Sequence, residues 1–372
     1  MSHSGGRNAP GQHTHPLPRL SVRWIRFATY AGLAVLAVLA VPAIGWGILH
    51  GPGGGLATPP PPPVIEQRDL NVAVVPAADS AGFFVALHEG LFAAHGLHVT
   101  FIPAVSSETV INAQALGETG HQVDISCGNY VSYIQAQEAY DRGQRPVSIA
   151  SGVVAADLDI FAEGSVMQPG AQGLYVLPRS RVTTLAGLEG KTIGVNAPGN
   201  ILYLLAASVL AGHGLSPSAV RFAYVPLPAM AAALKAGTVA AAVLPEPFAS
   251  QAELSLGVVT LADLDQGATE SFPVQGCAVT RQWAQLHPVT LAAFRAAFEE
   301  GQQIADTDRS AIEQAMEALP APLGLTPVQA AVMAVDSYPV GPVDAVRIQR
   351  VADVMRQFLG FPRFRVESML GG

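Results

Sequence analysis

Between Leu185 and Glu253 the chain repeats a strand–helix unit, and that repetition limits the fold more than any other feature. Thr192–Val195 (TIGV) is a short apolar run after a Gly-Lys turn, so it reads as a buried strand. The loop Asn196-Ala197-Pro198-Gly199-Asn200 comes next, and then Ile201, Leu204, Leu205 and Val209 recur at helical spacing until Gly212 and Gly214 stop the helix. A second strand over Val220–Val225, a helix over Pro228–Ala236 and a third strand over Val239–Leu244 continue the pattern. Strand, short turn, helix, strand is the grammar of a parallel sheet. Ligands on such sheets sit at the strand C-termini against helix N-termini, which places Gly199, Asn200 and Glu246 on one rim.

The segment before it repeats the grammar. Leu70–Val75 is a strand ended by Pro76, and Asp79 or Ser80 is expected to cap a helix carrying Phe83, Phe84, Leu87 and Leu91 on its apolar side. Strands over Leu97–Ile102 and Val123–Ser126 alternate with helices over Glu108–Leu116 and Tyr130–Ala139, and Val147–Val153 is a further strand. The turns bring Asp79/Ser80, Ser106/Ser107 and Ser126/Asn129 to one edge. Small polar residues at helix N-termini suit a polar or anionic ligand, although capping alone accounts for any single one of them.

Three segments, AADSAGFFVALHEGLFAAHGLHV, GLEGKTIGVNAPGN and AMAAALKAGTVAAAVLPEPF, together resemble the substrate-binding proteins of ABC importers. The resemblance is to the nitrate/sulfonate/thiamine-precursor branch of the periplasmic-binding-protein type II superfamily and runs from about Leu70 to at least Phe248. It implies an α/β fold of two lobes joined by a hinge of two crossing strands, closing on a small-molecule ligand. It also implies ABC transporter permease subunits as partners, docked on an acidic outer surface. Gln172–Leu177 is expected to cross to the second lobe and Phe272–Thr280 to return. Residues 69–171 and 277–372 then form lobe one, with helices over Pro288–Thr307, Ser310–Leu319, Pro327–Val335 and Val343–Leu359, and residues 172–276 form lobe two. The chain is expected to be a monomer.

The N-terminal part has a different character. Phe27–Leu49 is 23 residues without a charge, long enough to span a bilayer as a single transmembrane helix. Arg19, Arg23 and Arg26 precede it and no Lys or Arg occurs again until Arg68, so the positive-inside rule leaves residues 1–26 as a cytoplasmic tail and the folded part outside. An uncleaved anchor in the cell membrane is the favoured reading; a cleaved signal peptide, giving a secreted or periplasmic protein, is the alternative. Residues 50–68, with Pro59–Pro63 in a row, read as a tether. Residues 1–63 hold four arginines and no acid, so the remaining 16 basic and 28 acidic residues carry a net charge of −12. A body that acidic argues against nucleic acid as a partner.

The candidate ligand-binding residues are Asp79, Ser80 and Phe83 after the first strand, then Ser106, Ser126, Gly128 and Asn129 after the next turns of lobe one. Lobe two contributes Pro198, Gly199, Asn200, Glu246 and Phe248. The resemblance implies that the Glu246-Pro247 turn faces the cleft, where the acid meets the ligand or pairs with lobe one; a turn acid stabilised by the helix dipole is the plainer reading. No Lys or Arg falls in the pocket turns. Backbone N–H groups and hydroxyls still allow a sulfonate or nitrate, while the two acids favour a ligand with donor groups, such as an aminopyrimidine.

A catalytic role has less support. Relatives that synthesise a thiamine pyrimidine share the lobe architecture, but a cysteine-rich motif and a substrate-donating His go with that activity, and here Cys127 stands alone at the corresponding strand end. The chain has no HExxH, CxxC or GxSxG, and its histidines lack metal spacing, so neither a cofactor nor a metal is expected. A ligand-sensing receptor is the other alternative, weakened by a cytoplasmic tail without heptads. Cys127 and Cys277, the only cysteines, are expected as two buried free thiols, with a disulfide as the alternative in an oxidising compartment.

Overall fold

Two five-stranded sheets with the same internal order organise the protein in the computed structural model, which describes residues 64–116, 122–144 and 152–370. The first sheet begins with β1 (Asp69–Val74), then α1 (Ala81–His88), α2 (Leu91–Ala94), β2 (His98–Pro103), α3 (Ser107–Leu116), β3 (Ile125–Asn129), α4 (Tyr130–Asp141) and β4 (Leu158–Val166). The chain then enters the second sheet with β5 (Gln172–Val176), β6 (Thr192–Val195), α5 (Ile201–Gly212), β7 (Arg221–Tyr224), α6 (Leu227–Lys235), β8 (Ala241–Pro245), α7 (Phe248–Leu256) and β9 (Val259–Asp263). It returns with β10 (Pro273–Thr280) and ends in α8 (Arg281–Leu286), α9 (Pro288–Thr307), α10 (Arg309–Glu317), α11 (Pro327–Val332) and α12 (Ala345–Leu359).

The strand orders are β2-β1-β3-β10-β4 and β7-β6-β8-β5-β9. In each, three parallel strands come from consecutive βα units, and an antiparallel strand is inserted next to them. The inserted strands are β10 and β5, the two segments expected from sequence to cross between lobes. They do not cross. β5 pairs with β8 and β9 along its length, and β10 pairs with β3 and β4, so backbone hydrogen bonding commits each strand to one sheet. The crossings are the intervening segments 167–171 and 264–272, which corrects the expected hinge of two crossing strands. β4, unforeseen in the sequence because its Asp159 and Glu163 interrupt the apolar pattern, is buried at every position. Most of the strand expected over Val147–Val153 falls outside the described residues, as do the tail, the transmembrane segment Phe27–Leu49 and the Gly/Pro-rich tether as far as Pro63. Among the described residues no helix is long and apolar enough to cross a membrane.

Each sheet is covered on both faces, as parallel strands require. On the first, α1 and α9 pack together, with Phe83, Phe84, Phe92 and Phe294 buried in one aromatic cluster. The C-terminal α12 packs on α4 of the first lobe and on α5 of the second, burying Ile348, Val351 and Met355 in a core that contains residues of both. Its N-terminus is capped by Asp344, whose side chain accepts from Val346 N and Arg347 N, and Arg347 reaches Glu163 of β4 at 3.2 Å.

Cys127 of β3 and Cys277 of β10 sit directly opposite each other and form a disulfide, so the free thiols expected from sequence are not present. Register is the reason, since antiparallel pairing of β3 with β10 brings residues 150 positions apart to a Cα–Cα distance of 4.1 Å. A bridge closing so long a loop constrains the unfolded chain strongly. Replacing both cysteines by alanine is expected to lower stability by about 2–4 kcal/mol in urea melts. A non-reducing peptide map should recover the two cysteine peptides as one linked species.

Candidate functional site

The C-terminal ends of the two parallel trios face one another, and a small, partly open cavity of about 30 Å³ lies between them. Its wall is built largely from residues at or just beyond the strand ends: Val75, Ala77 and Asp79 after β1, Asn129 at the end of β3, Asn196 after β6 and Pro245 at the end of β8. Ser107 at the start of α3, Ile201 and Leu202 at the start of α5, Leu227 of α6 and Gln172 of β5 complete it. This is the position the βα grammar predicts, where polar side chains and helix N-termini converge.

Local chain chemistry holds these groups in place. Asn129 caps α4, its Oδ1 accepting from Ser132 N at 2.9 Å, and its own N–H donates to Ser107 Oγ at 2.9 Å. Gly128 lets β3 approach the start of α3, because a Cβ there would lie 3.0 Å from the Ser107 side chain. Asn200 caps α5 by accepting from Tyr203 N at 3.2 Å, and its amide donates to Asn196 Oδ1, so it positions a cavity residue without lining the cavity. The Gly199 carbonyl, in a loop where Gly199 takes φ +62°, accepts from Gln135 Nε2 of α4 at 2.8 Å and ties the two lobes together.

Of the candidates from sequence, then, Asp79 and Asn129 line the cavity, while Gly128, Gly199 and Asn200 lie one contact behind it. Ser80 donates to Asp79 Oδ1 at 3.0 Å, and neither residue caps α1 through its side chain, because the chain makes a 3-10 turn over Ala78–Ser80 before the helix. Ser106 bonds within its own turn to Thr109 Oγ1, and Pro198 is half-buried in the loop before α5. Phe83 lies in the aromatic core, and Ser126 is fully buried against Gln114, Tyr133 and the Ala278 carbonyl. Phe248 packs on the core of the second lobe. Glu246 does not line the cavity. Its carboxylate accepts from Ser250 N and Oγ at 3.1 and 2.7 Å and from Ala334 N at 3.2 Å, while its carbonyl accepts from Ala78 N at 2.9 Å. Glu246 therefore pins the end of β8 to segments of the first lobe. Burial pushes its carboxyl above the usual range, against the pull of those donors.

Sequence reasoning passed over Gln172, Asn196 and Asp336. Asn196 is the first residue of the loop after β6, a position that the rule for parallel sheets singles out. Gln172 opens an antiparallel strand outside the βα pattern, and nothing in its sequence context marks it. Asp336 lies in the segment after α11, is 6% exposed and senses the charge of Asp79. Burial raises Asp336 well above the carboxylate range and lifts Asp79 to about 6, the latter opposed by hydrogen bonds from Ser80. Among the described residues no Lys, Arg or His forms an ion pair with either acid.

Two α/β lobes, each with an antiparallel strand beside a parallel trio and a polar cavity between them, define a two-lobed periplasmic-binding-protein fold. The chain belongs to the NMT1-like family, whose sequence profile matches residues 64–319. It is similar to the alkanesulfonate-binding protein SsuA from Xanthomonas axonopodis pv. citri, solved bound to MOPS, with a TM-score of 0.66 and 20% identity over 83% of this chain and 99% of that one. It is also similar to the periplasmic nitrate-binding protein NrtA from Synechocystis PCC 6803, with a TM-score of 0.65 and 14% identity over 82% and 85% of the two chains. Among curated proteins it is 27% identical over 237 residues to the bicarbonate transport ATP-binding protein CmpC of Synechocystis sp. PCC 6803, covering 62% of this chain. The chain spans about a third (34%) of the length of that relative.

The raised Asp79 carboxyl has a consequence for stability. A folded-state value of about 6 against an unfolded value of 3.8 means that the folded protein holds this proton more tightly, so stability falls as pH rises from about 4 to 6 and is level above. One side of the carboxyl opens on the cavity, which reduces the penalty of its charge. Asp79→Asn should therefore be more stable than the parent at alkaline pH by about 1–2 kcal/mol in urea melts, with the gain vanishing toward pH 4.

Proposed function

We propose that this chain is an extracytoplasmic solute-binding protein of an ABC importer, which captures a small organic molecule or oxyanion between its lobes and delivers it to permease subunits. The observation that carries this reading is the cavity between the two strand edges, with Asp79 and Asn129 on its wall. Membership of the NMT1-like family supports it, as do solved relatives described as sulfonate- and nitrate-binding proteins. On this reading lobe one is residues 69–171 and 273–372, since β10 from Pro273 pairs within the first sheet, lobe two is residues 172–272, and the site comprises Asp79, Asn129, Ser107, Gln172 and Asn196. Function is closure on a ligand, with Glu246 and the Gly199–Gln135 contact stabilising the closed form.

Binding is favoured over catalysis. Both cysteines are tied in the disulfide, which leaves no thiol for the chemistry of the thiamine-pyrimidine relatives, and the cavity wall holds no His. The apolar segment Phe27–Leu49 supports a membrane anchor with the folded body outside, and a monomer needs no further contact to complete the site.

A thermal-shift screen of sulfonates, nitrate, bicarbonate, aminopyrimidines, amines and amino acids tests the function. A ligand that binds only the folded state raises the melting temperature with its concentration. One class should do so, and the shift should disappear in an Asp79→Ala, Asn129→Ala double variant that still melts cooperatively. A shift that survives both replacements would remove this cavity from consideration. For the anchor, the full-length protein should stay in the membrane fraction through a high-salt wash; recovery as a shortened soluble chain would identify a cleaved signal instead.

A further inference from the structure

We propose that the cavity selects a compact cation, of the ammonium, amidinium or guanidinium type, whose charge is met by Asp79 on the wall and by Asp336 behind it. The proposal rests on the reading of this cavity as the solute site and specifies what the site takes. Among the described residues Asp79 is the only ionisable side chain on the cavity wall, and the chain's two lysines, Lys191 and Lys235, are exposed elsewhere. A carboxylate on the cavity wall, with a second buried carboxyl within electrostatic reach and no cation paired to either among the described residues, leaves negative charge for a ligand to neutralise.

The wall offers amide donors from Asn129 and Asn196 as well as acceptors, and one of the acceptors is buried and unanswered. Gln172 lines the cavity, is 1% exposed, and its Oε1 has no hydrogen-bond partner. Gln275, 2% exposed, uses its Nε2 to hold the Asp79 carbonyl at 2.6 Å while its Oε1 is unpartnered, and Oδ1 of Asp336 is unpartnered too. Buried acceptors without donors are costly, and a ligand rich in N–H groups is the complement such a site requires. A sulfonate, nitrate or bicarbonate would bring more acceptors and a like charge. Size limits the ligand to a compact one without deciding its charge, because one water needs about 10–15 Å³ and the cavity measures about 30 Å³.

The surroundings of the two acids set the proton balance. The groups that act on Asp79 and Asp336 are Ser80, Ser165 of β4, the Gln168 backbone, Asp265 of the returning segment and Tyr338, whose N–H donates to Asp306 Oδ1 at 2.9 Å. None is a cation, so the acid pair holds a proton that an incoming cation displaces to solvent.

Isothermal titration calorimetry on the full-length protein in detergent decides the matter, using guanidinium and acetamidinium, their neutral counterparts urea and acetamide, and the anions bicarbonate, nitrate and methanesulfonate. The cations should bind at least about tenfold more tightly than their neutral counterparts, and their affinity should rise about tenfold between about pH 5 and pH 7 as Asp79 ionises. Asp79→Asn should abolish the preference for cations. Asp336→Asn, which preserves shape, should weaken cation binding and move the pH midpoint downward; a purely structural residue would change the melting temperature and leave that midpoint in place. Equal binding of urea and guanidinium, or preference for an anion, overturns the cation assignment and leaves the solute-binding reading intact. No heat from any probe also overturns it, and the broader screen then judges the solute-binding reading separately.

Discussion

A parallel strand edge that leads into helices presents unpaired backbone donors and short polar side chains at one end of the sheet, and two such edges set face to face create the interior of this molecule. The rest of the structure serves that arrangement. Each parallel trio is closed by an antiparallel strand supplied from the other part of the chain, β10 for the first sheet and β5 for the second. The segments that carry the chain between sheets, 167–171 and 264–272, are therefore fixed at both ends by strand pairing. A disulfide across β3 and β10 holds the first of these inserted strands two residues from Asn129 on the cavity wall.

Polar contacts join the lobes at the cleft, beside an apolar cluster that holds Tyr130 and Ile134 of the first together with Leu202 and Leu205 of the second. Glu246 reaches Ala334 and Ala78, and Gln135 reaches Gly199. Behind the cleft, α12 lays one apolar face across helices of both lobes. Polar contacts of this sort exchange readily with water, each contributing about 0.5–1.5 kcal/mol net, whereas an apolar helix face does not. That division suits a protein that opens at the cleft while remaining joined at the back. The cost of the arrangement is concentrated in acids. Asp336 and Glu246 are buried and Asp79 is half-buried, and all three are shifted toward their protonated forms by burial.

Much of this was legible in the residues. TIGV, bounded by Gly-Lys and the Asn-Ala-Pro-Gly-Asn loop, marks β6 to the residue, and the helix from Pro288 to Thr307 was equally plain. Asp79 and Asn129 line the cavity between the sheets, as expected of the first polar residues at the end of a parallel strand. Phe83 and Ser126 were chosen by the same proximity and lie in the core, because position near a strand end does not say which way a side chain turns. Glu246 illustrates the other limit. Its turn sits on the rim, yet its carboxylate is occupied by Ser250 four residues on and by Ala334 from a distant segment.

The sequence by itself determined the α/β class, the order of the strand–helix units and the apolar N-terminal segment, since these depend on periodicity, turn residues and composition within short windows. Only the tertiary structure decided which sheet β5 and β10 join, that Cys127 meets Cys277, and that Gln172 and Asp336 stand beside Asp79. Those facts arise from pairings between residues that are far apart in the chain. Register and side-chain direction at such distances are set by the packing of the whole, and no local pattern carries them.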